Sequence, residues 1–160
     1  MGHLRAVPDD VIPGLLHGAG IAPLLTGSDV FPVQYKTALF SWSTQDENRV
    51  LPLLRDAEIG FQPCVFIAEC TELYAESGEW SVSLPLRPDD RLAAISEALS
   101  DLIFRPPLRS RVLIRETHYN TTDSAALLRR EIAKGLQFPL MIPVRALEVI
   151  HRGKCVMRFA

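Results

Sequence analysis

The strictest periodicity in this chain runs from Trp80 to Leu86, where every second position is apolar and Ser81, Ser83 and Pro85 lie between. A period of two is typical of a β-strand that buries one face, so this segment must pack against a second layer of structure. Proline cannot donate a ladder hydrogen bond, and Pro85 therefore predicts an edge strand or a strand end.

Further elements are predicted on both sides of this strand from apolar periodicity, capping residues and turn residues. They are a strand over Val33 to Trp42, a helix after Ser43 with capping-box spacing at Thr44 and Glu47, a strand over Cys64 to Tyr74, a helix capped by Asp89 or Asp90, a strand over 109–117, a helix over Ser124 to Lys134, and a hairpin of Val144–Ile150 and Cys155–Phe159 that turns at Arg152-Gly153.

The length of 160 residues fits one domain over 1–160. The element order predicts a ferredoxin-like α+β fold with a β-α-β-β-α-β core over 31–120. Residues 1–30 are predicted to be an N-terminal helical and loop segment that packs on this core, and 121–160 to add a helix and a β-hairpin. The alternative architecture has two βαβ units related by pseudo-symmetry.

Residues 95–116, ISEALSDLIFRPPLRSRVLIRE, resemble the helix–loop–strand of tautomerase-superfamily enzymes over about one seventh of the chain. The resemblance implies a β-α-β unit, used singly or in tandem. Those enzymes use an N-terminal proline as the base, whereas this chain begins Met1-Gly2, and Pro32 is internal. The resemblance therefore bears on topology only.

Charge is unevenly distributed along the chain. Residues 56–86 carry six acidic and no basic side chains, whereas 87–160 carry thirteen basic and eight acidic ones, a surplus of five positive charges. Such segregation favours docking between complementary surfaces, or two differently charged solvated faces. The overall charge of −2 argues against a dedicated nucleic-acid binder.

The compartment is inferred from the N-terminus and the cysteines. The apolar stretch from Val11 to Leu25 is interrupted by prolines and glycines and follows two aspartates, so it predicts neither a secretory signal nor a membrane span. Cys64, Cys70 and Cys155 form no CxxC, and the first two are too far apart along one strand to bond. We therefore expect free thiols in the cytoplasm.

The predicted strand over 109–117 ends in Glu116, His118, Tyr119 and Asn120. A carboxylate beside an imidazole at the rim of a sheet can form an acid–base pair, so Glu116 and His118 are the candidate catalytic residues, with Tyr119 and Asn120 as candidate binding residues. The structural alternative is that they bond only to each other and to the loop backbone. Thr122, with Thr121 and Asp123, is a helix-cap candidate whose helix start could also bind an anion.

The same strand carries Arg109, Arg111 and Arg115 on one face. These arginines could bind RNA, a polyanion or an acidic protein surface. They could also pair with the acidic strand region that contains Glu69, Glu72, Glu76 and Glu79, within one chain or across a dimer, and we favour this pairing over RNA. The alternative is a solvated edge strand whose charge prevents aggregation.

Two functions follow from these features. The first is a binding or assembly module that acts through complementary charges, forms oligomers or contacts an acidic protein surface, and binds a small carboxylate or phosphate ligand. The second is a cofactor-independent isomerase or lyase in which Arg115 holds a carboxylated substrate and the Glu116–His118 pair moves a proton. The spacing of the histidines and cysteines predicts no metal site, and no motif predicts a cofactor.

Overall fold

A computed structural model of the chain describes residues 2–21, 32–59, 61–99, 109–115 and 121–159, and the structural statements here concern those residues. The strands are β1 (Gly2–Pro8), β2 (Val33–Lys36), β3 (Ala38–Trp42), β4 (Cys64–Ala68), β5 (Glu72–Glu76), β6 (Glu79–Pro88), β7 (Arg111–Ile114), β8 (Leu140–His151) and β9 (Lys154–Phe159). The helices are α1 (Ile12–Gly18), α2 (Glu47–Ile59), α3 (Asp90–Ala98) and α4 (Thr122–Gly135).

The described strands form one antiparallel sheet in the order β2-β7-β6-β4-β8-β1-β3, with β5 beside β6 and β9 beside β8. The strands at the two ends of this path, β2 and β3, follow each other in the chain and are separated only by Thr37. One short segment therefore connects both ends of the path, and the sheet curls until it is nearly closed.

The predicted ferredoxin-like α+β fold is wrong, and so is the alternative of two βαβ units. A ferredoxin-like fold is an open four-stranded sheet, whereas the described strands form a nine-stranded sheet that is nearly closed. Two βαβ units with neighbouring parallel strands are excluded because every strand pair in the described part of the chain is antiparallel. The predicted strand over Val33 to Trp42 is divided at Thr37, and the one over Cys64 to Tyr74 is divided into β4 and β5. The first division sends the chain to different neighbours, since β2 pairs with β7 and β3 with β1. β4 and β5 both pair with β6, but only β4 also pairs with β8.

The strand β1 was not predicted, although it lies inside the sheet between β8 and β3. Its seven residues place only Leu4 and Ala6 in the main core, alternating with His3, Arg5 and Val7. Two small or medium apolar side chains are a weak periodic signal. β1 is stabilised by its two neighbours, with Gly2–Pro8 paired to β8 and Gly2–Arg5 to β3.

Pro85 does not mark an edge strand or a strand end, because β6 runs from Glu79 to Pro88 in the middle of the sheet. On one side, β6 pairs with β5 up to Ser83 and with β4 from Leu86 onward. Pro85 lies in the gap between these partners, where no ladder hydrogen bond is needed on that side.

Several local predictions are confirmed. Asp89 caps α3, accepting hydrogen bonds from the backbone of Arg91 and Leu92. The helix predicted over Ser124 to Lys134 is α4, which begins two residues earlier and ends one residue later, and Thr121 caps its start. The hairpin of β8 and β9 turns at Arg152 and Gly153, which have φ values of 51° and 75°. These features depend on neighbours in sequence, and short-range rules therefore predict them.

The core lies inside the curled sheet and beneath the helices. Its largest fully buried side chains include Trp42, Phe40 and Phe66. Cys64 is buried while Cys70 and Cys155 are exposed, and all three thiols are free. No helix in the described residues is long and apolar enough to cross a bilayer.

Candidate functional site

A cleft of about 290 Å³ opens where β1, the β2–β3 junction, β5 and the start of β7 meet. We call it the basic cleft. Its lining residues are mostly basic or aromatic, and they are His3, Arg5, Tyr35, Lys36, Thr37, Ala38, Tyr74, Arg109 and Arg111. No carboxylate is among them.

The wall formed by β1 follows from strand alternation. Leu4 and Ala6 point into the core, so His3 and Arg5 share the opposite face and line the cleft. A seven-residue strand with an unremarkable sequence thus supplies two of the polar groups of the cleft.

Thr37 is buried and forms the junction between β2 and β3. Its carbonyl oxygen accepts a hydrogen bond from the backbone N–H of Ala6 at 3.0 Å, and its hydroxyl donates to the carbonyl oxygen of Ala6. These two bonds attach the junction to β1, so the two strands that flank the cleft are held together at this point.

Arg111 is held in place by an aromatic contact. Its guanidinium carbon lies 4.1 Å from the centre of the Tyr74 ring, and its Nε donates to the carbonyl oxygen of Arg109 at 3.3 Å. A stacked guanidinium loses little additional freedom when it binds an anion. In the described part of the chain, neither Arg109 nor Arg111 forms an ion pair with a carboxylate.

The other two permanent cations of the cleft have carboxylate partners. Arg5 donates through Nε and Nη2 to Glu148 Oε2, at 3.0 and 2.8 Å. Arg158 contacts the other oxygen of the same carboxylate at 3.2 Å. Lys36 donates to Glu76, and this hydrogen bond is the main cause that lowers the pKa of Glu76.

The tyrosine of β2 is held at the opposite wall. Tyr35 donates its hydroxyl proton to Asp10 Oδ1 at 3.0 Å. Burial, followed by this hydrogen bond, raises the pKa of Tyr35 well above its ordinary value. Tyr35 therefore stays neutral and does not add a negative charge to the cleft.

His3 is expected to make folding stability depend on pH. Burial, followed by the charge of Arg5, lowers the pKa of His3 from its ordinary value of 6.5. Below pH 6.5 the unfolded chain binds a proton at His3 that the folded protein does not. This contribution to stability is complete above pH 6.5 and is lost as pH falls through the folded pKa.

We therefore expect the stability of the wild type to fall more steeply than that of His3→Asn between about pH 7 and pH 5. Urea unfolding across this range measures the difference. His17→Asn, on the exposed surface of α1, controls for the loss of an imidazole. Parallel curves for the wild type and His3→Asn would contradict the lowered pKa.

The residues predicted from sequence have different outcomes. Arg109 and Arg111 line the cleft. Arg115 instead pairs with Glu79 at 2.9 Å and Glu76 at 4.0 Å, so within one chain it neutralises part of the acidic strand region. Thr122 begins α4 and is not among the cleft residues.

Four predicted site residues lie outside the described residues. They are the predicted catalytic pair, Glu116 and His118, and the neighbouring Tyr119 and Asn120. Their proposed roles stay predictions.

Sequence reasoning missed the contributions of β1, β2 and β5 to the site. None of His3, Lys36 and Tyr74 is a candidate site residue by its sequence pattern. The alternation of His3 and Arg5 with Leu4 and Ala6 was the available signal for β1. No local signal shows that these three strands approach Arg109 and Arg111.

The surface has further cavities besides the basic cleft. A cavity of about 430 Å³ shares Arg5, Tyr35 and Thr37 with the basic cleft, and a more apolar groove of about 490 Å³ lies between α2 and α3. Within the described ranges, no group of three or more His, Cys, Asp or Glu side chains is arranged to hold a metal ion.

Comparison with known proteins identifies no family for this chain. No protein-family model matches the sequence, and no curated protein matches it. Among solved structures, Usb1 of Kluyveromyces marxianus aligns with a TM-score of 0.48 at 12% identity, covering 99% of this chain and 96% of that one. A likeness at this level supports no conclusion about the function of this protein.

Proposed function

We propose that this protein is a binding module that takes a small anionic ligand, with a carboxylate or a phosphate group, into the basic cleft. The observation that supports this most directly is the pair Arg109 and Arg111, two cleft arginines without a carboxylate partner in the described part of the chain. Unpaired guanidinium groups in a concave site favour planar or tetrahedral anions, which they bind through paired hydrogen bonds.

The arrangement around Arg111 supports a site that is formed before the ligand arrives. Stacking on Tyr74 and the bond from Nε to the Arg109 carbonyl oxygen fix the guanidinium plane. In the part of the chain that the structure describes, the terminal nitrogens form no hydrogen bond, so they can donate to an anion. Because the side chain is already ordered, less conformational entropy is lost on binding than for a free surface arginine.

The remaining cations contribute to the electrostatic potential of the cleft. Arg5 and Lys36 keep their charges within ion pairs with Glu148 and Glu76, and these carboxylates are not among the residues that line the cleft. A ligand in the cleft therefore meets the basic ends of these pairs. A low-dielectric concave surface strengthens this effect.

The test is the binding of small anions to the Arg111→Gln variant. We expect the affinity for inorganic phosphate or acetate to fall about tenfold, because one charge-assisted hydrogen-bonding group is lost. Titrations followed by NMR at low ionic strength measure this. Arg130→Gln is the matched control, since Arg130 is exposed on α4, away from the cleft, and its loss changes the net charge equally.

Two results would overturn the proposal. One is that neither anion shifts the resonances of cleft residues in the wild type. The other is that Arg111→Gln and Arg130→Gln weaken binding to the same extent, which would indicate a diffuse response to net charge.

The proton-transfer activity and the charge-driven assembly predicted from the sequence stay predictions. The first depends on Glu116 and His118. The second requires acidic groups that are free to contact a partner, and Glu76 and Glu79 already pair with Arg115 or Lys36 in the same chain.

A further inference from the structure

We propose that the anionic group bound in the basic cleft is a dianion of the phosphomonoester class, in preference to a monoanion such as a carboxylate. This inference rests on the proposed anion-binding function and specifies the class of ligand. It follows from the excess of positive over negative side chains at the cleft.

The cleft contains four permanent cations, namely Arg5, Lys36, Arg109 and Arg111. Two of them contact carboxylates, but each carboxylate is shared: Glu148 also contacts Arg158, and Glu76 lies 4.0 Å from Arg115. Arg109 and Arg111 have no carboxylate contact in the described part of the chain, so at least two positive charges remain. Burial and the neighbouring Arg5 favour the neutral form of His3, so it adds no further full charge near neutral pH.

A surplus of at least two positive charges favours a dianion over a monoanion. A monoanion leaves one guanidinium without a counter-charge in the cleft, whereas a phosphomonoester neutralises both. The three terminal oxygens of the phosphoryl group can also accept from two guanidinium groups at once. A carboxylate has only two oxygens, and one planar fork occupies both of them.

The surrounding groups do not cancel this surplus. Tyr35 is neutral and directs its hydroxyl proton to Asp10, and Tyr74 covers one side of the Arg111 guanidinium with a neutral ring. Glu76, whose pKa is lowered first by its hydrogen bond to Lys36 and in small part by the charge of Arg111, is already bonded to Lys36 and lies 4.0 Å from Arg115. Because Lys36 and Arg115 both contact Glu76, this carboxylate neutralises little of the charge of Arg111.

The experiment compares phenyl phosphate with phenyl sulfate, which have nearly the same size and tetrahedral shape. Phenyl sulfate is a monoanion throughout the useful pH range, whereas the second pKa of a phosphomonoester is about 6. Calorimetric titration of the full chain at about pH 7.5 is expected to show phenyl phosphate binding about tenfold more tightly. Between pH 7.5 and 5 this preference should shrink about tenfold, because the dianion becomes a minor species.

The titration with phenyl sulfate serves as the control, because the ratio of the two affinities is independent of protonation events on the protein that affect both ligands equally. Protonation of His3 or Glu76 changes the affinity for both ligands, but only phenyl phosphate changes its own charge over this range. The Arg109→Gln variant provides a second check. With one surplus charge removed, it should bind the two ligands with affinities within about threefold of each other.

The possible outcomes separate this inference from the function on which it rests. Equal affinity for the two ligands at pH 7.5, with binding that still depends on Arg111, would overturn the dianion inference and leave an anion site. Absence of binding by either ligand, or binding unaffected by Arg109→Gln and Arg111→Gln, would overturn the proposed function as well. A preference for phosphate that persists unchanged at pH 5 would also contradict dianion selection.

Discussion

Replacing Phe40 with alanine is expected to lower the free energy of unfolding by about 3–5 kcal/mol, the usual range for removing a fully buried aromatic ring. Phe40 is 0% exposed in β3, and its ring centre lies 5.5 Å from that of Trp42 at an interplanar angle of 42°. The substitution removes buried apolar surface and leaves a cavity that rigid strands fill only in part.

The position of β3 increases the expected effect. β3 is at one end of the strand path and is joined through Thr37 to β2 at the other end. Loosening β3 therefore weakens the contact that keeps the sheet nearly closed. Urea unfolding followed by circular dichroism measures the change in free energy.

The control for Phe40→Ala is Leu127→Ala, because Leu127 is 43% exposed on α4 and should change stability by no more than about 0.5 kcal/mol. If Phe40→Ala unfolded at the same urea concentration as this control, Phe40 would not be a buried core residue, and the described packing of β3 would be wrong.

Adding one methyl group at Gly2 is expected to destabilise the protein by about 1–3 kcal/mol, the usual cost of overpacking. A Cβ at Gly2 would lie 2.3 Å from the Cε2 and Cζ2 atoms of Trp42. Gly2 pairs with Trp42 on one side and with His151 on the other, so the backbone cannot move away without breaking one ladder. The indole is 1% exposed and has little room to shift.

Replacing Gly14 with alanine should change the free energy of unfolding in the opposite direction. Gly14 lies in α1, and a Cβ there meets no atom within 4 Å. Gly14→Ala should therefore stabilise the protein by about 0.5–1 kcal/mol, because alanine loses less backbone entropy in a helix. Thermal and urea unfolding of both variants provide the comparison. Equal shifts of the same sign would show that Gly2 is not in close contact with Trp42.

The parts of the fold that were predicted correctly depend on residues close together in the sequence. Asp89 caps the helix that begins beside it, and Arg152 and Gly153 form the turn between the strands that flank them. Asp89 also accepts a hydrogen bond from the backbone of Val65 at 2.9 Å, a contact with β4 that helix-capping rules do not predict.

Local pattern could not predict how the strands pair. The segment Val33 to Trp42 has a continuous strand signal, and its division at Thr37 arises because Ala6 of β1 bonds to both the carbonyl and the hydroxyl oxygen of Thr37. β1 itself has a weak signal and is stabilised by two neighbours that come from distant parts of the chain. Strand pairing is decided by such long-range contacts.

The candidate site was predictable only in part, because some of its features are local and others depend on contacts between distant residues. Arg109 and Arg111 could be identified because charged residues alternate with apolar ones along one strand. Arg115 is not available to a ligand in the same way, because it pairs with Glu76 and Glu79, more than thirty residues earlier in the sequence. Opposite charges in the sequence indicate that ion pairs can form. The distances between side chains in the folded protein decide which arginine stays without a carboxylate partner.

The sequence by itself therefore determined the strand at Trp80 to Leu86, the caps of α3 and α4, the turn at Arg152 and Gly153, and the surplus of basic residues in the second half, because each depends on composition or on neighbouring residues. The tertiary structure alone decided that the sheet closes through Thr37, that β1 lies within it, and that Arg109 and Arg111 meet Tyr74 and His3 in one cleft. These results depend on which distant strands pair, and that choice reflects the free energy of the whole packed sheet rather than of any one segment.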